Sequence, residues 1–198
     1  MKIKQKNVLY TGKGDKGTTT LFHCDQGRIS KSANIIEALG SLDELNAYLG
    51  IVKVYAMKEQ IKLVSKSKKG ILFSNILSDV QQTLFIIQAE IAGSNMTVKK
   101  SNLNNIESII SYISELLPPI TSFTISGGSV LSAELDFSRT LARRAERRIV
   151  AVLDGGGSKI GPITISYMNR LSSLFFAMSR YTNYFLSINE EHPKYNKK

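Results

Sequence analysis

The chain has 198 residues, of which 42% are hydrophobic and 21% charged, a composition that supports one substantial core and argues against disorder. No apolar run approaches the roughly 18 residues of a membrane span, and the Lys2, Lys4 and Lys6 start has no apolar stretch behind it, so neither a secretory signal nor a membrane protein is expected. Cys24 is the sole cysteine, which excludes an intrachain disulfide and fits a reducing, cytoplasmic setting.

Residues 1–34 are rich in Gly, Thr, Lys and Asp without helical period. They are expected to form a short extended lead-in (Ile3, Val8, Leu9, Tyr10) and then a structured loop. From about Asn34 the pattern turns helical, with Ile35, Ile36, Leu39, Leu42, Leu45, Leu49 and Val52 at steps of three and four. Ser41 and Glu44 have capping-box spacing but fall inside that run. A Lys66–Gly70 linker leads to a second predicted helix over 71–92, with Leu77, Val80, Leu84, Ile87 and Ile91 on one stripe. A third follows the N-cap types Ser101 and Asn102 and stops before Pro118–Pro119. Residues 120–126 read as short and extended, and Gly127–Gly128 breaks the chain. A fourth helix runs from Ser129 or just after to about Leu153, ended by three glycines. A fifth spans about 163–188, and the Pro193-containing tail is expected to fray. Five amphipathic helices with almost no strand predict an all-α, five-helix bundle. It is expected as a single domain over 1–198, with a loop region over 1–34, a bundle over 35–188 and a tail over 189–198.

Net charge is +10, from 26 Lys and Arg against 16 Asp and Glu, a balance that attracts nucleic acid, acidic membrane or polyphosphate. The lysines of the 66–69 and 194–198 stretches read as solvated. The Tyr10-Thr11-Gly12-Lys13-Gly14-Asp15-Lys16-Gly17-Thr18-Thr19-Thr20 loop is different. Its glycines permit close backbone approach, successive N–H groups can cradle phosphate oxygens, and Lys13 and Lys16 add charge. It is not a Walker A loop, because Thr18 stands where the lysine belongs. A plain flexible turn stays open as the bland alternative.

Arg139, Arg143, Arg144, Arg147 and Arg148 crowd one stretch. At about 100° per residue, Arg139, Arg143, Glu146 and Arg147 share one arc. Leu141, Ala142, Ala145, Ile149 and Val152 form another face, and Arg144 and Arg148 a third. Guanidiniums at i, i+4 and i+8 repel unless an anion completes the face, and the planar fork suits carboxylate or phosphate. A solvated salt-bridge face and backbone tracking on nucleic acid are the competing readings. Against the latter, no nucleic-acid module is recognisable, and Tyr and Phe fall mostly at core-like positions. His23 and Cys24 lack partners for a metal site, and no metal-binding residues are expected.

The glycine loop, then Glu37-Ala38-Leu39-Gly40-Ser41-Leu42-Asp43-Glu44-Leu45-Asn46, then 138–147, then Asn169-Arg170-Leu171-Ser172-Ser173-Leu174-Phe175-Phe176, resemble in order and spacing the ATP:cobalamin adenosyltransferases of the propanediol-utilisation type. The resemblance runs from about Tyr10 to Tyr184. It implies a five-helix bundle with an N-terminal Gly-rich ATP loop, assembled as a homotrimer with active sites between subunits. The expected activity is transfer of the 5′-deoxyadenosyl group of ATP to Co(I) of reduced cobalamin, releasing triphosphate, with Mg²⁺ on the phosphates. Thr11, Gly12, Lys13, Gly14, Thr19, Thr20 and Lys31 would line the nucleotide, with Lys16 as a further phosphate contact. Arg143, Arg144, Glu146, Arg147 and Asn169 would join them. Arg139 would pair with Asp43 across the subunit boundary, and Phe123 would face the cobalamin and keep its lower ligand off the metal. Without the resemblance, Phe123 reads as a core phenylalanine. A reductase and a cobalamin-dependent acceptor enzyme are possible partners; nucleic acid and membrane are not expected. Alternatives are a non-catalytic basic nucleotide- or nucleic-acid-binding protein and an adenosylcobalamin carrier. The chain departs from the family where Gly12 replaces a basic residue, where 123–128 reads Phe-Thr-Ile-Ser-Gly-Gly, and where Ser173 replaces an aspartate.

Overall fold

The computed structural model describes residues 9–21, 27–63, 70–156 and 159–195. Five helices carry the fold: α1 (Asn34–Glu59), α2 (Phe73–Ile91), α3 (Lys100–Leu116), α4 (Val130–Asp154) and α5 (Pro162–Phe185). Neighbours pack in the order α2–α1–α4–α5–α3. α4 lies in the middle of the bundle between α1 and α5, and α3, the shortest helix, lies against α5.

The core is the set of stripes that the sequence period marks. Leu42, Leu45, Leu49 and Val52 of α1 are buried with Leu77, Val80, Leu84 and Ile87 of α2 and with Leu141, Ala142, Ala145, Ile149 and Val152 of α4. Each such side chain contributes about 1.5–3 kcal/mol on leaving water. α5 is buried nearly all round through its second half, from Leu174 to Asn183 apart from Phe176, because α3, α4 and the C-terminal residues surround it.

The boundaries depart from expectation where partners outside the helix decide them. α2 starts at Phe73, because Ile71 and Leu72 (β4) pair antiparallel with Lys62 and Leu63 (β3). α1 continues to Glu59 and stops as Gln60 turns left-handed (φ 50°). α3 begins at Lys100: Lys99 is the N-cap, and Asn102 accepts from the Lys99 amide at 3.2 Å. Ser101 and Asn102 therefore lie inside the first turn. Ser129 caps α4 by accepting from Ser132 N at 3.1 Å, as expected. Ser41 turns back onto Glu37 O at 2.9 Å inside α1 and caps nothing.

Leu9 and Tyr10 are exposed and in no strand. Most of the Lys66–Gly70 linker, and His23 and Cys24, lie outside the described residues. The tail through 192 is tied down: Arg180 grips Glu190 at 2.7 and 3.1 Å, and Ile125 N donates to Glu191 O at 2.8 Å. Of the described Tyr and Phe, Tyr10, Phe85, Phe123, Phe137, Tyr184, Phe185 and Tyr195 are exposed, so the aromatics are not mostly in the core. No helix among the described residues is long and apolar enough to cross a membrane.

Candidate active site

The glycine loop folds as a hairpin. Thr18–Thr19 (β1) pairs antiparallel with Ile29–Ser30 (β2), and turns close from Asp15 N to Gly12 O (3.3 Å) and from Gly17 N to Gly14 O (3.1 Å). The return strand brings Lys31 over the loop. A Cβ on Gly14 would stand 2.9 Å from Lys31 Nζ, so the ammonium packs closely over the bare backbone there and would move aside for a larger residue. Lys31 and Gly14 are thus brought together on one side of the hairpin.

Arg28 was not foreseen. Its Nε donates to Thr18 Oγ1 at 2.8 Å, and its Nη2 donates to the carbonyls of Thr18 (2.6 Å) and Lys13. One guanidinium therefore staples the two sides of the hairpin. A basic residue directly after Gly27, on the return strand, was the available signal. Thr11 Oγ1 accepts weakly from Lys13 N at 3.4 Å, and Thr20 is exposed at the end of β1. Lys13, Lys16 and Lys31 make no ion pair with any described residue.

α4 separates its arginines into two sets. Arg144 pairs with Glu44, and Arg148 Nη2 lies 3.7 Å from Glu37 Oε2, both on α1. These belong to the α1–α4 seam. Tyr48 donates to Glu134 in the same seam and packs edge-on against Phe137 at 4.9 Å. Burial, then that hydrogen bond, pushes the Tyr48 hydroxyl above its ordinary range and keeps it a donor. Arg143 and Arg147, by contrast, are exposed and pair with no described residue. Arg139 lies between these cases. Its Nε is buried without a hydrogen-bond partner and stands 3.8 Å from Asp136 Oδ1.

The α4 face continues onto α5. Asn169 Nδ2 donates to Glu146 Oε1 at 2.8 Å, Arg170 Nη1 donates to Asn169 Oδ1 at 2.8 Å, and Arg170 Nε reaches Glu107 Oε1 at 3.0 Å. Glu146 and Asn169 are therefore fixed beside the unpaired guanidiniums. The sequence-predicted set divides accordingly: Arg143, Glu146, Arg147 and Asn169 share a surface, while Arg144 faces α1.

Asp43 is exposed on α1 and forms no ion pair with any described residue. It lines a largely apolar cavity of about 620 Å³ between α1 and α2, with Leu39, Phe85 and Met96. Within one chain it does not touch Arg139. Phe123 is 79% exposed, so the core reading of this residue is wrong. Ser173 is exposed on α5.

The family profile described as cobalamin adenosyltransferase matches residues 9–182. The corrinoid adenosyltransferase PduO of Citrobacter freundii is 33% identical over 180 residues, covering 87% of this chain and 49% of that protein. The human corrinoid adenosyltransferase MMAB is 30% identical over 183 residues, covering 87% of this chain and 68% of that protein. The chain thus spans about half the length of the PduO relatives it matches. Among solved structures, a phenylalanine-to-histidine variant of the PduO-type ATP:corrinoid adenosyltransferase from Lactobacillus reuteri, complexed with cobalamin and ATP, superposes with a TM-score of 0.81 at 28% identity, covering 96% of this chain and 98% of that one. The five-helix architecture agrees with the structural likeness, and the chain belongs to the cobalamin adenosyltransferase family.

Proposed function

We propose that the chain transfers the 5′-deoxyadenosyl group of ATP to the cobalt of a reduced corrinoid. The observation that carries this reading is the pair of unpaired guanidiniums, Arg143 and Arg147, beside the fixed Glu146–Asn169 contact. A protein that used α4 only for cohesion would have matched these two to carboxylates, as it matches Arg144 and Arg148. Left free, they are suited to the charge that develops on a departing triphosphate.

In the proposed reaction Co(I) of the substrate attacks the 5′ carbon of ATP. The cobalt–carbon bond forms with the metal's electron pair, and the carbon–oxygen bond breaks toward the triphosphate. The protein supplies no nucleophile. The hairpin, with Thr11, Gly12, Lys13, Gly14, Lys16, Thr19, Thr20 and Lys31, binds and orients the nucleotide, and Arg143 and Arg147 stabilise the leaving group. Arg144, paired with Glu44, holds the helix that carries them. Phe123, exposed and aromatic, has the character needed to face a corrin and exclude its lower ligand.

Mg²⁺ fits as an ion that enters on ATP. Lys, Arg and Thr donors favour phosphate oxygens over a carboxylate cage, and no group of three His, Cys, Asp or Glu gathers among the described residues. The Thr19 and Thr20 hydroxyls are hard oxygen donors for such an ion, which neutralises phosphate charge when bound.

We further propose that the chain acts as one domain and assembles as a homotrimer, Asp43 of one copy meeting Arg139 of the next. Asp43 and the buried, unsatisfied Arg139 Nε support this, as do the exposed apolar residues Ile51, Val54 and Phe137 on α1 and α4. A cytoplasmic setting, an electron-donating reductase and a cobalamin-dependent acceptor complete the reading. The test is to mix the protein, ATP and chemically reduced cobalamin. A light-sensitive cobalt–carbon bond is the expected product, and its absence at full reduction refutes the assignment. ATP binding should survive high salt, whereas backbone tracking on nucleic acid would collapse.

A further inference from the structure

An exposed aromatic can act only if its backbone holds it in place, and Phe123 lies in a segment without secondary structure. Its hold comes from the C-terminus. Ile125 N donates to Glu191 O at 2.8 Å, and His192 Nδ1 lies 2.9 Å from both Phe123 O and Ser122 Oγ. A carbonyl oxygen can only accept, so Nδ1 carries the proton and is shared between the two oxygens.

The C-terminal residues are themselves anchored. Arg180, buried on α5, takes Glu190 in a two-pronged contact and also donates to Pro118 O at 3.2 Å. Ile188 N donates to Asn183 O at 2.8 Å, and Asn183 Nδ2 donates to Gly127 O at 2.9 Å. A Cβ on Gly128 would stand 2.3 Å from Asn183 Oδ1, so glycine is required for this approach. Both ends of the segment, Pro118 and Gly127, are therefore fixed to α5, and its middle is fixed to residues 191–192. The family match ends at residue 182, before any residue after α5 that makes these contacts.

We propose that residues 186–192 form a clamp that sets where Phe123 stands, with His192 as a positioning residue that pins the Phe123 carbonyl and leaves its ring free. The bearing on catalysis rests on the proposed adenosyl transfer, but the clamp itself does not.

Three variants separate the possibilities. His192→Ala removes the donor. His192→Asn places an amide N–H near the Nδ1 position and should restore it. His192→Gln places its amide near the Nε2 position and should not. Amide exchange over residues 121–126 should quicken by about fivefold to tenfold in His192→Ala, the change that loss of one hydrogen bond implies, and return toward wild type in His192→Asn alone. With cob(II)alamin and ATP, the lower-ligand-free fraction and kcat should fall by about fivefold or more in His192→Ala while KM for ATP stays unchanged. Unchanged exchange, or rescue by Gln as good as by Asn, overturns the clamp. Faster exchange with an unaltered cobalt spectrum overturns its bearing on Phe123. A wild-type chain that never forms the lower-ligand-free species counts against adenosyl transfer instead, and the exchange data still decide the clamp.

Discussion

Helix α5 carries Asn169 and the anchor of the C-terminus, yet its N-cap is Gly161, which has no side chain to cap with. Glu90 of α2 supplies the cap from outside. It is 5% exposed; Oε1 accepts from Gly161 N at 2.8 Å and Thr97 Oγ1 at 3.2 Å, and Oε2 from Thr164 Oγ1 at 2.6 Å. The carboxylate also faces the positive end of the helix. Truncation to alanine would remove these acceptors and leave the Gly161 amide and the fully buried Thr164 hydroxyl without partners. An unsatisfied buried group costs about 1–3 kcal/mol, and charged acceptors sit at the upper end. Glu90→Ala should therefore lose about 4 kcal/mol of stability. Glu90→Gln keeps the shape and two of the contacts while losing the charge, and should lose about 1–2 kcal/mol. In urea, with a slope of about 2–3 kcal/mol/M, the alanine variant should unfold at a midpoint lower by about 1.5 M. A loss below about 1 kcal/mol in Glu90→Ala would show that water or a rearranged α2–α5 junction replaces the cap, and the reasoning would fail.

The two arginine sets should part in mutants. Arg143→Ala should lower kcat by about 10²-fold or more with an unchanged Tm, since Arg143 pairs with none of the described residues; Arg144→Ala should cost at most about 1 kcal/mol of stability and far less activity. Asp43→Asn should impair cobalamin use or loosen the assembly, read by corrinoid titration and sedimentation; an unaffected enzyme removes the Asp43–Arg139 pairing. Phe123→Ala should keep ATP binding and stability but lose the lower-ligand-free cob(II)alamin spectrum. Tyr167, pushed up to about 12 chiefly by burial, binds its proton more tightly folded than unfolded. Stability should therefore fall by about 1.4 kcal/mol per pH unit from its unfolded pKa near 10 up to about 12. In Tyr167→Phe that slope should shrink in alkaline denaturation curves.

The helices were legible because each buries one stripe of its own residues, and a 3.6-residue period reports that directly. The same periodicity sorted α4 into three sectors, and the buried sector is the predicted one. It did not report who meets the other two. The pairing of Arg144 and Arg148 with Glu44 and Glu37 depends on the packing of α1 against α4, which no local pattern encodes. The α3 cap shows the same limit on a smaller scale. Asn102 is a good cap type, but its amide side chain serves just as well from the third helical position, reaching back to Lys99. Arg28 was missed because its acceptors are mainly carbonyls, which every residue has. Without the family resemblance the local pattern misplaces both Phe123 and the residues up to 192: a phenylalanine in an apolar-looking segment suggests core, and a polar C-terminus suggests fraying. Each is held where it is by the other, through backbone groups invisible in a sequence.

Charge left unpaired is the feature that ties these elements to a function. Neighbouring guanidiniums one turn apart on a helix destabilise it by a few tenths of a kcal/mol per pair, and a buried donor without a partner, such as Arg139 Nε, costs more. Elsewhere this fold resolves such conflicts within the chain: Arg144, Arg148, Arg170 and Arg180 each find a carboxylate. Among the described residues Arg143 and Arg147 find none, and the hairpin lysines at 13, 16 and 31 likewise make no ion pair. In the proposed reaction the triphosphate supplies the anion that both the hairpin lysines and these arginines lack. Asp43 presents the opposite case, a solitary carboxylate at the rim of an apolar cavity. In the proposed assembly its complement is Arg139 of a second copy, whose Nε stands 3.8 Å from Asp136 but has no hydrogen-bond partner among the described residues.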